Sequence, residues 1–245
     1  QFEYVMGTNP AYFGCSNNDD NSYAKKGGPT SALPVENVNW YGAITYCNKL
    51  SLLEGKMPCY SVKYANSEEV HWEDIVYSAI PTSSSPSDTL TRWDNAYCDF
   101  SKDGYRLPTD SEWEYAARGK NGADNYTYAG SDDICDVAWY WYNTNSTSCT
   151  VNGYYGTNPV ATKDPNNLGL CDMSGNVQEW TWSGNEDTFP AATLPNAVQA
   201  SGSARVLRGG RWNGSESYCR VSYRGYSSPD HRTGTLGFRV VCKGE

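Results

Sequence analysis

The run Arg205–Cys242, RVLRGGRWNGSESYCRVSYRGYSSPDHRTGTLGFRVVC, constrains the fold more than any other stretch of the chain. Apolar or glycine anchors recur along it: Val206, Leu207, Gly209-Gly210, Trp212, Cys219, Val221, Tyr223 and Leu236–Val241. Between them lie small, polar or aromatic inserts. The first holds Arg211, Asn213, Gly214, Ser215, Ser217 and Tyr218; the second Gly225, Tyr226, Ser227 and Ser228; the third His231, Thr233, Gly234 and Thr235. The anchors have the continuous or period-2 apolar character of strands, and the inserts have turn chemistry. A rigid frame presenting three irregular segments suits either a catalytic centre or a recognition surface.

Composition narrows the choice. The 245 residues suffice for a substantial core in one domain. Only 38% are hydrophobic, but 9 Trp and 20 Tyr each bury a large area, so aromatics can replace aliphatics in the core. A formal net charge of −9 argues against nucleic acid as a partner, because phosphate binding needs a basic face. No run approaches the roughly 20 apolar residues of a membrane span. The opening Gln1-Phe-Glu-Tyr-Val reads as strand-like, with no signal peptide, as in a mature or trimmed form. Nine cysteines without a CxxC pair disfavour structural zinc and favour an oxidising, exported setting; the odd count leaves at least one unpaired thiol if disulfides form.

Upstream, the sequence predicts short strands and loops over residues 1–35, with a turn at 17–20. A helix is predicted from Asn39, a good N-cap, to Gly55, with Trp40, Ala43, Ile44, Cys47 and Leu50 on one apolar stripe. Residues 81–86 read as a surface loop. A second helix follows Thr109, which with Glu112 is spaced as a capping box. Trp113, Ala116 and Ala117 give it a buried face, and Gly119 ends it. Capping and solvation account for Glu112 and Glu114 without a catalytic role. The cluster Trp139-Tyr-Trp-Tyr142 suits core packing, with sugar stacking the alternative.

Leu168–Trp180 reads as a compact turn entering a strand. Asp172, Asn176 and Glu179 there are hard oxygen ligands around the bend at Gly175, which suits calcium or an ion-free turn network. Only His71 and His231 are present, which excludes a three-His metal centre, and no elbow-type serine accompanies them. No phosphate-binding glycine loop occurs.

Taken together, GYRLPTDSEWEYAARG, GLCDMSGNVQEW, RVLRGGRW and LGFRVV, in that order, resemble the formylglycine-generating enzyme (sulfatase-modifying factor) family, as do the opening FEYVMG and NWYGAITYCNKLS. The resemblance spans nearly the whole chain, so residues 1–245 are expected to form one domain. It implies an α+β, C-type lectin-like fold with two helices, small antiparallel sheets and much irregular backbone. It also implies a structural calcium held by Asp172, the Gly175 and Val177 carbonyls and Glu179, with no other cofactor required.

Enzymes of this family bind copper through two cysteines after the Gly-Gly turn. Cys219 stands where the second would be, and Gly214 where the first would be. One thiolate cannot make the two-sulfur site, so an oxidase that converts a cysteine of a target protein is the lesser alternative. The segment 205–241 is more similar to the variable proteins of diversity-generating retroelements, in which asparagine codons are diversified at adenines. Every insert residue named above lies within the reachable set; Glu216 does not and is expected to be fixed. The implied function is non-enzymatic ligand binding at a cell surface, with a protein or glycan partner. The protein is expected to be exported, to be lipid-anchored through a segment outside this chain, and to be a monomer. Tyr218 and Tyr226 are the expected anchors, and Trp212, Cys219, Val221, Tyr223 and Phe238 the buried framework.

Overall fold

The computed structural model describes residues 1–13, 29–62, 69–82, 93–119, 125–145, 156–186, 197–199 and 203–244. The turn expected at 17–20 and most of the loop at 81–86 fall outside them. The N-terminus differs from expectation. Phe2–Met6 forms a short helix, α1, closed by Gly7 at φ 72°. Phe2, Val5 and Met6 are buried, at a spacing of three and four that fits one helical face better than an alternating strand.

Helix α2, Trp40–Leu53, begins as its cap requires: the Asn39 side chain accepts from the Gly42 N–H. Its burial is far wider than one stripe, for every residue from Trp40 to Asn48 is buried. Aromatics surround it. Trp40 stacks on Trp182, which stacks in turn on Tyr60, and Phe2 stacks on Tyr46. The buried polar side chains of α2 are satisfied at the same time. Asn48 exchanges two hydrogen bonds with the Tyr60 backbone, and Thr45 and Ser51 donate to carbonyls one turn back. Such pairing is what makes burial of polar groups tolerable.

Helix α3, Asp110–Ala117, carries both halves of the Thr109–Glu112 capping box. Glu112 also takes Arg106 in a two-point ion pair at 2.6 Å. Glu114 pairs with Arg118 and with Arg208. Both carboxylates therefore have structural partners. Two further short helices, α4 (Ile134–Val137) and α5 (Trp141–Asn145), add to the expected pair.

The strands are β1 (Tyr60–Ser61), β2 (Tyr97–Asp99), β3 (Ala138–Trp139), β4 (Ser174–Gly175), β5 (Gln178–Gly184), β6 (Ala197–Gln199), β7 (Arg205–Arg208), β8 (Gly225–Ser227) and β9 (Leu236–Phe238). They form sheets ordered β1-β2-β6, β3-β4 and β8-β7-β5-β9. The class is α+β as expected, but the sheets are not all antiparallel: β3 pairs with β4, and β5 with β9, in parallel. After the β7–β8 antiparallel pair, the chain crosses the sheet and returns on the far side of β5. That crossing gathers the inserts.

Candidate ligand-binding face

The first insert leaves β7 through Gly209 and Gly210, at φ 89° and 74°. A Cβ on Gly210 would lie 2.7 Å from the Tyr218 carbonyl oxygen and 2.8 Å from Cys219 Sγ, so only glycine fits this fold-back. Trp212, 3% exposed, then locks the insert inward. Its backbone N–H donates to Asn176 O and its indole N–H to Gly234 O, 3.0 Å away in the third insert. A short 3₁₀ turn, Glu216–Cys219, carries Tyr218 outward and Cys219 inward.

Of the expected contact residues, Asn213, Ser215, Ser217, Tyr218, Tyr226, Ser228 and His231 are exposed. Arg211, Gly225, Ser227, Thr233 and Gly234 are half-buried. Two are buried. Gly214 lies beneath Arg211 and Tyr218, side-chain atoms of both being 3.2 Å from where its Cβ would stand, so it packs under the face. Thr235 lies at the bottom of a cavity of about 230 Å³.

That cavity draws residues from all three inserts, among them Arg211, Gly225, Tyr226, His231 and Thr233, onto a base of Gln178, Leu207 and Leu236. A larger hollow, about 400 Å³, opens near Trp72 and Tyr97 at the β1–β2 sheet and contains no insert residue. The smaller one is the better candidate because it is where the three segments converge.

The framework departs from expectation at two positions. Trp212, Cys219 and Val221 are buried, but Tyr223 and Phe238 are only partly so. Tyr223 supports Tyr218, with ring centroids 5.0 Å apart, and also lines the cavity. Glu216, expected to be fixed, is exposed. The aromatic cluster divides: Trp139 and Tyr140 are buried, Trp141 and Tyr142 exposed. Trp141 N–H donates to Gly214 O, which puts an exposed indole beside the first insert. Cluster composition alone did not reveal that adjacency, nor did the sequence single out Gln178 or Arg208.

Arg208, 1% exposed, ties the face to the core. Its guanidinium pairs with Asp110 and Glu114 on α3 and donates to the carbonyls of Val221 and Tyr223. Opposite charge and full hydrogen bonding are what such burial needs.

Two of the groups expected to hold calcium, the Glu179 and Asp172 carboxylates, have protein partners. Both Glu179 oxygens accept from Arg239, and one also accepts from the Trp113 indole N–H. Arg239 further donates to the carbonyls of Cys171 and Asp172. The Asp172 carboxylate accepts from the Ala161 N–H, and burial pushes its pKa up. Glu179 and the Asp172 backbone are organised around the Arg239 guanidinium. Among the described residues no group of three or more His, Cys, Asp or Glu could hold a metal.

Comparison with known proteins now fixes the relationship. Residues 4–243 match the model of the sulfatase-modifying factor enzyme 1-like domain. The chain belongs to the sulfatase-modifying factor family. It is 32% identical to the chaperone protein LppX of Paenibacillus barcinonensis, over 98% of this chain and 75% of that one. It is 37% identical to the formylglycine-generating enzyme of Streptomyces coelicolor, over 56% of this chain and 46% of the enzyme. Among solved structures, it is similar to Treponema denticola variable protein 1, with a TM-score of 0.80 and 37% identity, covering 99% of this chain and 80% of that one. The fold is thus the C-type lectin-like fold of formylglycine-generating enzymes.

Within this sulfatase-modifying factor domain, the residues do not fit the copper of its enzymes. Gly214 supplies no sulfur. Cys219 is fully buried, and burial pushes its thiol pKa up to about 12, so it carries its proton at neutral pH. Cys47, Cys59, Cys98, Cys171 and Cys242 are also free thiols, whereas Cys135 is disulfide-bonded.

Proposed function

We propose that this protein is a non-enzymatic binding protein that displays the face from Arg211 to Thr235 to a protein or glycan ligand. The observation that carries the reading is the convergence of three inserts on one cavity, lined by exposed Tyr226, with exposed Tyr218 packed beside two of its lining residues, Arg211 and Tyr223. Tyrosines provide rigid amphipathic contact area, and Ser, Gly and Asn adaptable hydrogen bonding, which is how antibody paratopes work. The similarity to a Treponema variable protein supports a retroelement-diversified segment at 205–241. The protein acts outside the cell, anchored at its surface, consistent with the disulfide at Cys135. No helix among the described residues is long and apolar enough to cross a membrane.

The test has two parts. A near-copy of the DNA encoding 205–241, differing only at adenines and lying beside a reverse transcriptase, is expected next to the gene. On arrays of glycans and extracellular proteins, Tyr218→Ala/Tyr226→Ala is expected to lose every signal that the wild type gives. Retained binding by the folded double variant would move the site elsewhere. Conversion of a cysteine peptide dependent on copper and oxygen would establish the oxidase alternative.

A further inference from the structure

The cavity among the inserts has a definite chemistry. Gln178, on β5, is only 6% exposed, yet it lines the cavity, and its carboxamide makes no hydrogen bond to any described residue. Arg211, on the same cavity, has no carboxylate within ion-pair distance among the described residues, and its buried Nε has no acceptor there. None of the eleven residues lining the cavity is acidic, in a chain whose net charge is −9. Arg208, by contrast, is closed by two carboxylates and two carbonyls. A buried donor left open, as Arg211 Nε is, costs free energy unless a ligand or water completes it, and the Gln178 carboxamide opens onto the same cavity.

We propose that the cavity takes a carboxylate, with Arg211 and the Gln178 carboxamide N–H as its donors, and that the residue at position 225 controls access to Gln178. A planar guanidinium fork matches a planar carboxylate at two points, and a single permanent cation matches a monoanion better than a dianionic phosphate. Control by position 225 follows from packing. A Cβ on Gly225 would lie 2.7 Å from Gln178 Nε2, the far end of a flexible side chain. Any larger residue there swings the carboxamide away from its present place without straining the backbone. A constant strand residue thus acts as a specificity contact that an insert residue exposes or hides. This ligand class rests on the binding-face reading above. The carboxylate comes from an acidic side chain or terminus of a peptide, or from a uronic-acid sugar.

The side-chain NMR signals of Gln178 Nε2 and Arg211 Nε can be followed in labelled full chain at constant ionic strength. Titrants are acetate, glucuronate and N-acetylaspartate methylamide, with acetamide, glucose and inorganic phosphate as comparators. All three carboxylates are expected to shift both signals saturably, while acetamide and glucose leave them in place. Tighter glucuronate binding assigns the sugar source, and tighter aspartate binding the peptide. Arg211→Gln is expected to weaken acetate binding at least tenfold, and Gln178→Met severalfold. Gly225→Ser, on edge strand β8, is expected to match Gln178→Met while leaving both donor residues in the sequence, and keeps the test standing should either other variant fail to fold. Unmoved signals with every carboxylate, an equal response to acetamide or glucose, or tighter binding of phosphate would overturn the proposal. Unchanged acetate binding in Gly225→Ser would overturn the control by position 225. None of these results touches the adenine-variant repeat, on which the display reading is judged separately.

Discussion

The aromatic core around α2 and the face built by the inserts use the same residue types to opposite ends. In the core, polar tips are engaged. Trp40 and Trp180 donate to the carbonyls of Thr181 and Val38, Trp113 to Glu179, and the Tyr60 hydroxyl accepts from the Leu107 N–H. Trp182, whose buried indole N–H has no acceptor among the described residues, is the exception. On the face, Arg211 and Gln178 are held in place with their hydrogen-bonding capacity unspent. Composition does not separate the core from the face; the opening of Arg211 and Gln178 onto one cavity does.

Trp40→Ala removes a fully buried indole stacked on Trp182 and is expected to cost about 4 kcal/mol. Urea unfolding would show this as a lower midpoint, and a loss below about 1 kcal/mol would mean that α2 is not the centre of the core. Next comes the link between the regions. Arg208→Met strips the pairing from Asp110 and Glu114 and frees two carbonyls, at an expected cost of about 3 kcal/mol, since removing one partner of a buried pair strands the other. An unchanged midpoint would show that the face is held by other contacts.

An effect of similar size is readable through pH. Glu36 is fully buried beside Phe13 and the third insert, and burial raises its pKa to about 7, partly opposed by the backbone N–H groups of Phe13 and Tyr12. Between its ordinary value near 4.5 and about 7, the folded state keeps a proton that the unfolded state has released. Stability therefore falls as pH rises through that window and is level above it, at ~1.4 kcal/mol per pKa unit. Melting curves of Glu36→Gln are expected to lack this slope; a slope equal to the wild type's would assign it to other groups. The smallest expected effect is that of Tyr218→Ala/Tyr226→Ala on folding. Both rings are substantially exposed, so a change within about 1 kcal/mol is expected, and a large drop in melting temperature would make them core.

What could be read in the sequence follows from how local each signal is. The Asn39 cap and the Thr109–Glu112 box lie within a few residues of what they satisfy, and both are present as expected. The all-round burial of α2 was not legible, because it depends on Trp182, Tyr60 and Phe2 arriving from distant parts of the chain. Phe2–Met6 read as a strand because Tyr4, aromatic but exposed, sits between its buried residues; which of them face inward shows only in the structure. The inserts could be listed from their turn chemistry, but Gly214 and Thr235 could not be seen to lie inward, since that depends on the fold-back at Gly210 and on β9 crossing to β5. Glu179 suited calcium by spacing; its ion pair with Arg239 could not be read there, because Arg239 is far along the chain.

The inserts are fastened through atoms that every amino acid shares. Trp141 N–H donates to the carbonyl of Gly214, Asn37 N–H to that of Thr233, Gln178 N–H to that of Thr235, and the Trp212 indole to that of Gly234. Rewriting a side chain at these positions leaves its carbonyl available to the same donor. Substitution at these positions can therefore change the exposed surface while the chain beneath keeps its course. A collection of molecules differing only in the exposed inserts is expected to melt within a narrow band of temperature.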